Sequence, residues 1–159
     1  MKKMVMFAGL LSTPLAFSLE HRAASSLAQE DSRLVRLRKF FERYHCPLSK
    51  YAADFVLAAD ENNLDWRLLP SISMMESGGG KSYRNRNVFG WDSGHQHFAS
   101  IQAGIHAVAS RLGTSQLYRH KQLDQILTTY NSRPEYARRV KNWMQTLSPA
   151  RQTFASAFY

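Results

Sequence analysis

Three consecutive glycines, Gly78-Gly79-Gly80, cut off an apolar stretch over residues 66–75, and this break constrains the fold more than any other feature of the chain. The segment Asp65-Trp66-Arg67-Leu68-Leu69-Pro70-Ser71-Ile72-Ser73-Met74-Met75 predicts a short, mostly apolar helix with Asp65 as its N-cap. Pro70 lacks the amide that would donate to Trp66, which predicts a bend or a tight first turn. The glycines end the helix abruptly, so Glu76 falls in or beside its last turn. There a carboxylate faces the negative end of the helix dipole, with Ile72, Met74 and Met75 close in sequence. Partial desolvation would add to the penalty on the ionised form and raise the pKa. An acid kept protonated near neutral pH can donate its proton to a leaving oxygen. A solvated, idle Glu at an ordinary helix end fits this helix equally well.

Helical periodicity continues on both sides. Leu34, Leu37, Phe40, Phe41 and Tyr44 recur at helical spacing among Arg33, Arg36, Arg38, Lys39 and Arg43. A core-packing helix with a solvated basic face is the preferred reading, ahead of a membrane-surface helix. A second helix is expected over residues 49–61, after Pro47, with Tyr51, Phe55 and Val56 inward. Beyond the glycines, Val88-Phe89-Gly90-Trp91 and Gln96-His97-Phe98 flank Asp92-Ser93-Gly94-His95, which predicts a small hairpin or a tight loop. Ser100 then caps a helix carrying Ile101, Ile105, Val108 and Leu112, with Gly113 as its stop. Leu123, Ile126, Leu127 and Tyr130 mark another helical face. Pro134 opens a last helix through Val140, Trp143, Met144 and Leu147. The expected class is mainly α, about six helices with at most a small β-hairpin.

An apolar content of 44% with 12% aromatics is enough for a true core, and 159 residues make room for one domain. Lys2 and Lys3, an apolar run over 4–11 and Ala16-Phe17-Ser18 read as a secretory signal peptide cut after Ser18, too short to span a membrane. The expected organisation is a leader at 1–18, a polar lead-in and amphipathic helix at 19–44, a main domain at 45–148 and a tail at 149–159. Export would take the chain to the periplasm or outside the cell. Cys46 is the sole cysteine, so no intrachain disulfide forms and the core alone must hold the domain. Without Lys2 and Lys3 the balance is 19 basic to 12 acidic residues, and from Lys81 onward it is eleven to three. Such a field favours an anionic polymer as partner. Export makes nucleic acid the least suitable choice, leaving anionic lipid or a carboxylate-rich cell wall.

Leu64-Asp65-Trp66-Arg67-Leu68-Leu69, Met75-Glu76-Ser77-Gly78, Asn87-Val88-Phe89-Gly90-Trp91 and Tyr130-Asn131 come in an order that resembles the bacterial lysozyme-like peptidoglycan glycosidases. The Glu-Ser-Gly step and Tyr130-Asn131 resemble the soluble lytic transglycosylase branch, and Asn-Val-Phe-Gly is similar to the glucosaminidase branch. The resemblance covers roughly residues 47–147. It implies a helical lysozyme-like fold with a sugar-binding groove, Glu76 as catalytic acid, Tyr130 near the site and Asn131 supporting the turn there. Two departures stand out. Phe89-Gly90-Trp91 replaces the Gly-Leu-Met-Gln segment usual in transglycosylases, and Thr129 stands where an Ala would precede Tyr130-Asn131.

The product chemistry turns on a second carboxylate. An inverting base sits roughly 6.5–9.5 Å from the acid and a retaining nucleophile about 5–5.5 Å. Asp92 is the candidate. Without it Glu76 acts alone, and the sugar's own hydroxyl closes an anhydro ring; the shortage of acids favours that route, with Asp92 as a turn residue. Trp91, Phe89 and Tyr83 are candidates for stacking on sugar rings, Phe89 being also the strongest candidate for a core position. Ser77 is read as orienting Glu76 or the substrate, Asn87 as an acetamido contact and Asn85 as a turn residue. His95 and His97 have no third partner at metal-ligand spacing and read as surface imidazoles. Neither metal nor organic cofactor is expected. The expected activity is an exported, monomeric lytic transglycosylase acting on peptidoglycan glycan strands without stable membrane insertion. Hydrolytic glucosaminidase or muramidase chemistry is the alternative, and a non-catalytic wall-binding or assembly protein the rival from another class.

Overall fold

Leu37, Phe40 and Phe41 bury one face of the first helix, α1 (Ser32–Arg43), while Arg36, Lys39 and Arg43 on the other face stay exposed. The computed structural model describes residues 30–149; the expected leader with its cut after Ser18, the lead-in as far as residue 29 and the tail after Pro149 lie outside the described residues. Burying side chains of this size is worth about 1.5–3 kcal/mol each, so the apolar face of α1 is committed to the core. The helix belongs to the same compact unit as the later ones. Its basic face reaches back to α2 through Arg33, whose guanidinium meets Asp60 at 2.7 Å.

A 3₁₀ turn (Pro47–Tyr51) leads into α2 (Ala52–Glu61), so the helix expected over 49–61 comes in two pieces. Next is α3 (Leu68–Ser77), with Leu68, Leu69, Ile72 and three serines, Ser71, Ser73 and Ser77, buried. A helix apolar nearly all round belongs in the middle of a fold, and α3 packs against both α2 and the last helix. Its start corrects one expectation. Asp65 is not the N-cap; that position is Arg67, and Asp65 Oδ1 accepts from the Arg67 amide at 2.9 Å and pairs with its guanidinium. The later start places Pro70 in the first turn, where a helix amide has no partner inside the helix, so proline costs no hydrogen bond. Gly78 caps the C-terminus at φ +60, and the amides of Gly78 and Gly79 both close on the Ser73 carbonyl.

Residues 87–98 form a tight loop around a 3₁₀ turn (Trp91–Gly94), and no strand occurs among the described residues. The class is mainly α. Val88 and Phe89 anchor this loop with no exposed area, and the Phe89 ring meets Phe55 edge-on at 6.2 Å. Three more helices complete the domain: α4 (Ile101–Thr114), capped by Ser100 Oγ on the Ala103 amide, then α5 (Leu123–Tyr130) and α6 (Pro134–Leu147) with Pro134 in its first turn. Among the described residues no helix is long and apolar enough to cross a membrane.

Gly113 does not stop α4, which runs on to Thr114. Its role is contact: a Cβ there would lie 2.5 Å from the Asn62 carbonyl oxygen and 2.8 Å from Asn62 Cβ, at the end of α2. Alanine in place of a helical glycine normally stabilises by roughly 0.5–1 kcal/mol. Here the overlap is with backbone, and overpacking of that kind costs about 1–3 kcal/mol. Gly113→Ala is therefore expected to lower the midpoint of thermal unfolding; a raised midpoint would show that α2 and α4 are free to move apart.

Candidate functional site

Glu76 projects from the last turn of α3 toward the loop over 87–98, the end of α5 and the start of α6. The Tyr136 hydroxyl, on the first turn of α6, donates to Glu76 Oε1 at 2.8 Å. Gly90 stands beside the other oxygen: a Cβ on Gly90 would come within 2.7 Å of Glu76 Oε2. Gly90 also has φ +60, so the close approach and the backbone conformation both call for glycine. No described residue donates to Oε2. With Oε1 already accepting from Tyr136, the proton of the neutral acid resides on Oε2, on the side of Gly90.

That side is a cavity of about 410 Å³ lined by Glu76, Gly90, Trp91, Asp92, Ser93, Tyr118, Tyr130 and Asn131. Its aromatic wall is built ring on ring. Trp91 meets Tyr130 edge-on at 5.5 Å and Tyr118 at a tilt at 6.0 Å, while Tyr130 stacks on Tyr136 at 5.9 Å with their planes 9° apart. The Arg111 guanidinium lies 5.3 Å from the Trp91 ring centre and donates to Gln96. Such a cation on an indole face stabilises the ring's placement. The Tyr130 hydroxyl donates to the Phe89 carbonyl at 2.5 Å, tying α5 to the loop.

Burial pushes the Glu76 carboxyl above the ordinary glutamic-acid value, against the hydrogen bond from Tyr136 and the charge of Arg133, which both favour the anion. Burial also raises Tyr130 and Tyr136, each further disfavoured as an anion by the other ring or by Glu76. Both phenols therefore keep their protons, and Tyr136 stays a donor to Glu76. The sequence reading made a raised value conditional on desolvation, and desolvation is its leading cause here.

The loop is held in a costly conformation. Asp92 and Ser93 have φ of +53 and +51, an uncommon region for non-glycine residues. Asn87, buried beneath it, holds the loop in place: its Oδ1 accepts from the Trp91 amide at 3.0 Å, and its Nδ2 donates to the carbonyls of Trp91 and Gln96. Asn85 donates to the Gly94 carbonyl as a turn residue.

Several expected contacts are corrected here. Ser77 is buried, donating to the Ser73 carbonyl and accepting from the Gly80 amide, so its hydroxyl serves the glycine turn. Asn87 commits its amide to the loop, and Phe89 is a core residue; none of the three lines the cavity. Trp91, Tyr130, Asn131 and Asp92 do line it. Asn131 also supports the turn, its Oδ1 accepting from the Arg133 amide at 3.0 Å. Tyr83 is exposed and outside the cavity, and His95 Nδ1 lies 3.0 Å from the Asp92 carbonyl. The sequence reading missed Tyr136, Tyr118, Gly90 and Arg111. Tyr136 had a signal, since 136, 140, 144 and 147 share one face of α6.

Because the fold raises the Glu76 pKa, ionisation of this group opposes folding. Its contribution is fully present below the unfolded value near 4.5 and is lost as pH rises through the higher folded value. Glutamine keeps an oxygen for Tyr136 without a charge to bury. Glu76→Gln is thus expected to match wild type in thermal stability at about pH 4 and exceed it at about pH 8. Equal midpoints at both pH values would show that the carboxyl is not desolvated.

No family model, curated protein or solved structure matches this chain, so its functional reading rests on the geometry of the site and on the residues that build it.

Proposed function

We propose that the chain is a peptidoglycan-cleaving glycosidase of lysozyme-like type, acting as a lytic transglycosylase with Glu76 as its one catalytic acid. The observation that carries this reading is the half-buried Glu76 carboxyl, with Oε1 bound to Tyr136 and Oε2 turned toward a cavity with an aromatic wall. Aromatic faces suit the apolar faces of pyranose rings, and a protonated acid beside them suits a glycosidic oxygen. The basic surface suits a carboxylate-rich wall polymer. An exported setting, periplasmic or extracellular, rests on the leader read at 1–18.

In the proposed reaction Glu76 gives its Oε2 proton to the glycosidic oxygen as the bond to the anomeric carbon breaks. The leaving strand departs as an alcohol, and an oxocarbenium-like centre develops on the muramic ring. Glu76, now ionised, stabilises that centre and then takes the proton of the ring's own 6-hydroxyl. The hydroxyl oxygen bonds to the anomeric carbon, closing the anhydro ring and returning Glu76 to its starting state. Tyr136 steadies the anion in between by donating to Oε1. Tyr130 acts on placement, because its hydroxyl is committed to the Phe89 carbonyl.

A second reading has one observation in its favour. Asp92 lines the same cavity as Glu76, which is where a base activating water would stand in a hydrolase. Against it, Asp92 sits at positive φ with its carbonyl accepting from the His95 amide at 2.8 Å, the position of a turn former.

Two variants separate these readings. Glu76→Gln removes the transferable proton, and its rate of clearing a cell-wall suspension is expected to fall by about 10²–10⁴-fold with helical content unchanged. Near wild-type clearing by that protein would remove the basis of the assignment. Asp92→Asn suits the same turn and is expected to clear walls at nearly the wild-type rate. Loss as deep as that of Glu76→Gln would make the protein a two-carboxylate hydrolase.

A further inference from the structure

Glu76 has a second cavity on its other side, and the catalytic reading leaves it unused. It encloses about 180 Å³, under half the volume of the first, and is lined by Glu76, Asn131, Arg133, Glu135, Tyr136 and Arg139, along with Met75. Glu76 and Asn131 line both cavities, so an aromatic compartment and a basic one share Glu76. We propose that the basic compartment is a subsite for a carboxylate on the peptide substituent of the glycan strand, held by Arg133 and Arg139. The proposal rests on the peptidoglycan reading and specifies which part of that polymer the site distinguishes.

Three observations support it. First, both guanidinium groups are uncommitted: among the described residues neither Arg133 nor Arg139 is in an ion pair or donates a side-chain hydrogen bond. Glu135 is the natural competitor, four residues before Arg139 on one helix, a spacing that usually allows pairing. The two are not within ion-pair distance here, so the fork of Arg139 remains open to a planar carboxylate, which it fits by two parallel hydrogen bonds. Second, the compartment's two arginines outnumber its one acid besides Glu76, which is Glu135. Third, Arg133 and Glu135 flank Pro134 at the first turn of α6, and no side chain caps that end. The positive end of a 14-residue helix adds to the attraction for an anion. Seating an anion there would also offset the pull of Arg133 on Glu76, favouring the protonated acid when substrate is bound.

The test uses the full chain carrying Glu76→Gln, so that ligands bind without turnover. Calorimetry compares two soluble probes, a muropeptide disaccharide bearing its tetrapeptide and the same disaccharide after the peptide has been removed by an amidase. The peptide-bearing probe is expected to bind about tenfold more tightly, the scale of a charge-assisted hydrogen-bond pair. Arg133→Ala and Arg139→Ala should each abolish most of that preference while leaving the peptide-free probe bound as before, which also shows that the variants are folded. Arg119→Ala, an exposed cation that lines neither cavity, should keep the preference. Equal affinity for the two probes, or an undiminished preference in both arginine variants, would overturn the subsite alone. Binding of neither probe would overturn the peptidoglycan reading, and the subsite with it.

Discussion

The hydrogen bond from the Tyr136 hydroxyl to Glu76 Oε1 joins the central helix α3 to the first turn of α6, and it sets what the carboxyl can do. One oxygen is occupied by a donor that burial prevents from ionising. The other faces a cavity beside Gly90, where an added Cβ would crowd it. Desolvation then outweighs the two influences that favour the anion, so the group is poised to hold a proton and release it to a ligand. The same bond stabilises the anion once the proton has gone, which is what an acid that must later act as a base requires.

Everything around this pair fixes its position. The apolar circumference of α3 places the helix at the middle of the fold, and Gly78 at φ +60 stops it one residue past Ser77. Phe89 locks the loop into the core, and Tyr130 ties the Phe89 carbonyl to the end of α5. Asn87 then binds the loop's own backbone from inside. Such a chain of contacts over-determines the strained turn at Asp92 and Ser93, which would otherwise relax. Rigidity of this kind matters for proton transfer, because a donor displaced by an ångström is a poor one.

The helices were legible because each announces itself locally: the period of Leu37, Phe40 and Phe41, the Ser100 cap, Pro134 in the first turn of α6, and the glycines after Ser77. Glu76 was legible for the same reason, since a helix end and its neighbours lie within a few residues. Asp65 misled because its carboxylate engages the Arg67 amide two residues on, a local turn that mimics a cap and delays the helix. Gly113 misled because a glycine near a helix end reads as a stop, whereas the contact it permits is with Asn62, fifty-one positions away in sequence. The same distance problem hid the pairing of Tyr136 with Glu76 and the basic compartment. Whether Ser77 and Asn87 turn toward a ligand or toward the backbone also depends on folding, and in both cases the backbone wins because these side chains are buried and must be satisfied.

Fragments released from purified cell wall by the wild-type protein, separated and weighed by mass spectrometry, test the central claim most directly. A single acid shared by two cavities, with the substrate's own hydroxyl as acceptor, predicts chains ending in anhydro-muramic residues, formed without uptake of water. Reducing ends on the released chains would mean that water is the acceptor, and an intact wall releasing no fragments would contradict the account of Glu76 as a glycosidic proton donor.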